Sequence, residues 1–95
     1  MQTVYEIVQD DMPIHVPLFT NLDRAQHELN RIVDEMLQKA QQQYSGVYHE
    51  TSQSGYDFVV GDVRHIMVNN GLMEYTSLGI YRREVNTATL GDYHS

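Results

Sequence analysis

Between Thr20 and Tyr44, apolar residues recur at steps of three and four: Leu22, Ala25, Leu29, Ile32, Val33, Met36, Leu37 and Ala40. That spacing puts them on one stripe of a 3.6-residue period and predicts one long amphipathic helix. Asp23, Gln26, Glu28, Asn30, Arg31, Asp34, Glu35, Gln38 and Lys39 fill the other positions and form its solvated side. Thr20 or Asn21 is placed to cap the first turn, Asp23 meets the positive helix end, and Ser45-Gly46 supplies a stop. A helix with one apolar stripe needs a cover. The rest of the chain reads as strands, so the stripe is expected to lie across a sheet.

The strand signals come from runs and alternation. Val4 to Gln9 is rich in β-forming residues, and Asp10-Asp11 marks a turn. Pro13 to Phe19 alternates, with Ile14, Val16 and Leu18 on one side. Pro13 and Pro17 share a parity, so the donors they lack all belong to one lateral side, which predicts an edge strand protected from strand addition. Val47-Tyr48 begins a short strand, and Thr51 to Gly55 reads as a loop. Tyr56 to Val60 and Val63 to Asn69 are two further strands, with a turn or bulge at Gly61-Asp62. Asn70-Gly71 predicts a two-residue hairpin turn, because both residues accept positive φ. The implied register sets Asn69 opposite Leu72, Val68 opposite Met73, Ile66 opposite Tyr75 and His65 opposite Thr76. Ile66, Val68, Met73 and Tyr75 would then lie under the helix, with His65, Met67, Glu74 and Thr76 on the other side. The last strand continues through Leu78 to Tyr81, with a bulge at Gly79, and ends at Arg82 to Val85.

The expected fold is therefore α+β: a four- to five-stranded, mostly antiparallel sheet with one long helix packed across one face, in the order β-β-α-β-β-β. Residues 1–86 form a single α+β domain, and 87–95 a flexible C-terminal tail with little apolar content beyond Leu90. The 95 residues suffice for one modest core, and 41% hydrophobic content argues for a folded chain.

Charge narrows the partners. Thirteen Asp and Glu against six Lys and Arg give a net charge of −7. Direct nucleic-acid binding and attachment to anionic membranes are not expected, since both draw on basic surfaces. No apolar run approaches the length of a transmembrane helix, and the first residues lack a basic segment before an apolar one, so a cytoplasmic protein is the expectation. Cysteine is absent, which leaves no disulfide and no thiolate ligand. The histidines at 15, 27, 49, 65 and 94 are at least 12 residues apart and form no His-x-x-x-His pair, so neither a metal site nor a cofactor is expected. His15 and His65 have one chance to meet, on a shared sheet face. The carboxylate pairs Asp10-Asp11 and Asp34-Glu35 stand where solvated charge belongs. No nucleophile elbow, phosphate loop or dinucleotide fingerprint occurs, so the chain is not expected to be an enzyme. Arg82 and Arg83 point to opposite sides by alternation and are expected to pair with Glu84, Glu74 or Asp62.

Aromatic usage points toward contact with another protein. Seven of the nine aromatics are Tyr and none is Trp. Tyr combines apolar area with a polar tip and suits half-exposed interface positions. Tyr48, Tyr56 and Tyr81 are placed on or beside the uncovered side of the sheet. Together with Asp10, Asp11, Glu28, Asp34 and Glu35 they are the candidate partner-binding residues.

The runs Val-Tyr-Glu-Ile-Val (4–8), Pro-Leu-Phe-Thr-Asn-Leu-Asp-Arg-Ala (17–25) and Ile-Tyr-Arg-Arg-Glu-Val-Asn (80–86) resemble small accessory proteins carried by bacteriophages and mobile elements of Gram-positive bacteria. In these, a short hairpin leads through a Phe into an Ala-containing helix, and a strand with a basic residue closes the sheet. The resemblance covers most of the chain. It implies a non-enzymatic protein that binds a host or phage protein, inhibitors of nucleases and other host defences being one known kind. Residues and resemblance together lead to a small protein-binding module, with self-association as a homodimer as its near relative. The alternative is an acidic inhibitor occupying the basic groove of a nucleic-acid-processing protein.

Overall fold

The computed structural model describes residues 1–14, 17–69, 71 and 73–86. The strands are β1 (Gln2–Gln9), β2 (Met12–Pro13), β3 (Gly46–Gln53), β4 (Val59–Asn69) and β5 (Met73–Val85), and the single helix α1 spans Leu22–Gln43. They form one sheet in the order β2-β1-β5-β4-β3, with every pair antiparallel. The expected fold and element order are found. The proposed tail at 87–95 and the possible meeting of His15 with His65 involve residues outside those described.

The helix begins where the sequence provides a cap. Asn21 has extended backbone, and its Oδ1 accepts the Arg24 N–H at 3.2 Å. At the other end Tyr44 is extended too, and its N–H reaches the Ala40 carbonyl. Gly46 is not a helix stop. It opens β3, where an added Cβ would come within 3.1 Å of the Asn69 Cβ on the paired strand. Ala25, Leu29 and Val33 of the helix are buried against Ile7, Ile66, Leu78 and Ile80 of the sheet, with Tyr5, Phe19, Met36, Val60 and Val68 packed around them.

Four local expectations are corrected. Among the described residues of the expected edge run Pro13 to Phe19, β2 reaches only Pro13 and Phe19 makes an isolated bridge to Tyr5. Ile14 and Phe19 both pack on the helix-side core although their parities differ. β2 does stand at the sheet edge, as the prolines require. Thr51 to Gln53 belong to β3 rather than to a loop, while Tyr56 to Phe58 precede β4. Gly61 and Asp62 form a bulge inside one long β4 rather than a break between two strands, and Gly61 takes φ +76°.

The fourth correction matters most for function. Asn69 pairs with Met73, which leaves three residues between the strands instead of two, with Gly71 at φ +103°. The register is therefore His65 opposite Ser77, Ile66 opposite Thr76, Met67 opposite Tyr75 and Val68 opposite Glu74. Side chains alternate with period two, so one residue of slip exchanges faces. Met73 and Tyr75 move to the helix-free face, with His65 and Met67, while Glu74 and Thr76 take the helix side.

Candidate binding face

The helix covers one side of the sheet. On the other, pairing places Tyr48 opposite Met67 and Met67 opposite Tyr75, an apolar row across β3, β4 and β5. Tyr48, Tyr75 and Met73 are each more than half exposed. Beside this row, Ser52 Oγ and His65 Nε2 share a hydrogen bond of 2.6 Å, and the Tyr75 hydroxyl meets His65 Nδ1. The grouping is absent from the sequence reading because the two-residue hairpin sends Tyr75 to the opposite face. A Ser–His pair can move a proton, but acyl transfer also needs donors aimed at the developing oxyanion. Sheet N–H groups point along the plane to neighbouring strands, not above the face on which Ser52 stands. The cluster lies in a polar row, with Glu50 and Ser77 as the cross-strand neighbours of His65.

The other end of the same face is built around a glycine. Gly79 of β5 pairs with Val8 on one side and faces the β4 bulge on the other. With no side chain at Gly79, the surface dips between Val8, Val59 and Val63. The resulting cavity has a volume of about 160 Å³ and is rimmed by Asp10, Asp11, Ser54, Tyr56, Ser77 and Tyr81. The two aspartates form the β1–β2 turn with φ of +51° and +64°. Positive φ at both positions gives the hairpin a twist matching its strands. This conformation turns both carboxylates back over β5. Asp10 Oδ1 accepts the Ser77 N–H at 2.9 Å, and the Tyr81 hydroxyl donates to Asp11 Oδ1 at 2.9 Å. Accepting that bond, the Asp11 carboxylate raises the Tyr81 phenol above its ordinary pKa, with burial adding to the effect. Tyr56, Phe58 and Tyr81 make an aromatic cluster, with centroids 5.2 Å apart for Tyr56 and Phe58 and 5.1 Å for Phe58 and Tyr81. The Arg83 guanidinium lies 6.0 Å from the Tyr81 centroid and is engaged by Glu6 at 2.8 Å.

The structure thus brings four sequence candidates, Asp10, Asp11, Tyr56 and Tyr81, around one cavity, and sets Tyr48 on the same face some strands away. Glu28, Asp34 and Glu35 belong to the helix, on the opposite layer. Glu28 is paired with Arg31, and Glu35 with Arg31 at 2.9 Å and Lys39 at 3.3 Å. The Arg31 hydrogen bond lowers the Glu28 pKa, and Lys39 does the same for Glu35. Arg82 and Arg83 do not pair as expected with Glu84, Glu74 or Asp62. Arg83 holds Glu6, and Arg82 donates to the Asp57 carbonyl at 3.4 Å. Glu84 instead accepts from the Thr3 hydroxyl at 2.9 Å.

On the helix side, Arg64 of β4 donates to His49 Nε2 at 2.9 Å and to Asn30 Oδ1 at 2.7 Å. It thereby ties the far end of the sheet to the helix. Burial lowers the His49 pKa, and the Arg64 charge lowers it further. No helix among the described residues is long and apolar enough to cross a membrane. No protein-family model, curated protein or solved structure matches the chain.

Proposed function

We propose that the protein is a small non-catalytic binding module that meets a protein partner through the helix-free face of its sheet. One observation carries this reading. Of the seven large apolar side chains that are exposed among the described residues, five share that face or its rim: Tyr48, Tyr56, Phe58, Met73 and Tyr75. Tyrosine-rich, half-exposed surface of this kind is what protein interfaces bury. The accessory proteins of phages and mobile elements that the sequence resembles are consistent with such a role. The acidic-inhibitor alternative draws less support, because Glu28 and Glu35 are neutralised locally by Arg31 and Lys39.

The test is affinity capture from nuclease-treated bacterial lysate with three baits: the parent chain, a face variant (Tyr48→Ser with Tyr75→Ser) and a helix variant (Glu28→Lys with Glu35→Lys). The parent and helix variants are expected to retain one protein partner that the face variant loses. Loss on the helix variant alone, with capture weakened sharply by salt, would overturn this reading in favour of the acidic inhibitor. A parent chain that is dimeric by light scattering, and a face variant that is monomeric, would make the partner a second copy.

A further inference from the structure

We propose that the cavity at Gly79 is a recognition pocket for a cationic side chain, lysine or arginine, presented by the protein partner. This rests on the binding-module reading and assigns the specificity of that face. Size comes first. A cavity of about 160 Å³ is close to the ~150 Å³ that holds one benzene, and well below the ~300–1,000 Å³ of cofactor and drug-sized sites. One side-chain end fits; a nucleotide does not.

The lining selects the chemistry. Val8, Val59, Val63 and Gly79 make an apolar floor suited to methylenes. Tyr56 and Tyr81 stand at the rim, and tyrosine faces attract cations. Asp10 and Asp11 each spend one carboxylate oxygen on a fixed neighbour, the Ser77 amide and the Tyr81 hydroxyl, both neutral donors. Neither forms a salt bridge with a cation among the described residues, whereas Glu6, Glu28 and Glu35 all do. The nearby Arg83 is held by Glu6. Two anionic groups thus remain uncompensated over an apolar floor between aromatic walls. A lysine or arginine complements all three features at once: stem on the valines, head group against the tyrosines, charge on the aspartates.

Glycine at 79 fits the same account. An added Cβ would lie 3.8 Å from Val59 Cγ1 and Val63 Cγ2, ordinary contact distance, and the backbone there is not in the left-handed region. Packing does not demand glycine. Its bare backbone keeps the floor low, as where a ligand approaches a strand closely.

The experiment is an NMR titration of the full chain with N-acetyl-lysine amide, N-acetyl-arginine amide and the uncharged N-acetyl-norleucine amide. The expected result is saturable shifts at the amides of Asp10, Asp11, Ser77 and Gly79, with millimolar affinity for a cationic probe and weaker binding of norleucine. Asp10→Asn with Asp11→Asn removes both charges while keeping an oxygen acceptor, and Asn suits a turn with positive φ. That variant should keep its melting temperature and lose affinity about fivefold, the scale of exposed ion pairs. Gly79→Ala should weaken binding while leaving the spectrum folded. No saturable shift with either cationic probe, or equal binding of norleucine, or full affinity in the doubly substituted variant, would overturn the proposal. The capture experiment is independent of it. A partner lost on Tyr48→Ser with Tyr75→Ser but kept on Asp10→Asn with Asp11→Asn would leave the face reading standing and remove the pocket.

Discussion

Replacing Gly79 by alanine is expected to stabilise the protein. Glycine inside a strand has more conformational freedom to lose on folding than alanine, so Gly→Ala at a compatible position gains about 0.4–1 kcal/mol. Compatibility is set here by two structural facts. The backbone lies outside the left-handed region, and the new methyl meets Val59 Cγ1 and Val63 Cγ2 at 3.8 Å without displacing either. For a domain of this size the gain corresponds to about 2–8 °C in melting temperature. Gly61→Ala is the contrasting change. Gly61 takes φ +76°, and its added Cβ would approach Gln26 Oε1 to 3.2 Å, so a loss of about 1 kcal/mol or more is expected. Urea denaturation followed by circular dichroism measures both. A Gly79→Ala protein destabilised by more than about 1 kcal/mol would refute the reasoning, because the strand would then need glycine for its own geometry.

Neighbouring residues on β4 test the two faces of the sheet: Ile66→Ala removes a buried side chain of the core and should cost about 2–5 kcal/mol, whereas Met67→Ala, on the helix-free face, should cost about 1 kcal/mol. Comparable losses at the two positions would contradict the placing of Ile66 under the helix and Met67 on the open face. Asn21→Ala deletes the helix cap and should lower stability by about 1 kcal/mol, with Asn21→Asp restoring most of it; thermal melts check this. His49 should titrate by NMR below the ordinary histidine value of about 6.5, and Arg64→Met should move it upward. The sign for stability follows: a depressed folded pKa favours the neutral imidazole, so the contribution is intact above about pH 6.5 and is lost as pH falls through the folded pKa. Protonation of Nε2 also ends its role as acceptor for Arg64.

What the sequence made legible divides by the range of the signal. The helix was plain because eight apolar positions repeat one period; the prolines pointed to a sheet edge, but only Pro13 lies in the edge strand β2. The order of elements emerged although one strand was misplaced: Thr51 to Gln53 look like a loop by composition, yet pairing with β4 holds them extended. The Asn-Gly signal located the last hairpin but not its loop length. Asn69 pairing with Met73 adds one residue, and that residue decides which face Tyr75 and Met73 occupy. The candidate site was half legible for the same reason. Asp10 and Asp11 were singled out as an acidic turn, and Tyr56 and Tyr81 for residue type and a place on or beside the open face. Their convergence on Gly79 depends on a turn folding back over β5 and a bulge 18 residues earlier, which no local pattern encodes. The Ser52–His65–Tyr75 group joins three strands and exists only in the observed register.

The central claim is that a protein partner sits on the helix-free face. The chain has no cysteine, so a single photo-crosslinker can be attached cleanly at Glu50→Cys, exposed beside His65 on the helix-free face, or, on the helix layer, at Glu28→Cys. Irradiation of the captured complex should give a covalent adduct from position 50 and none from position 28. An adduct from position 28 alone would contradict the account and place the partner on the helix.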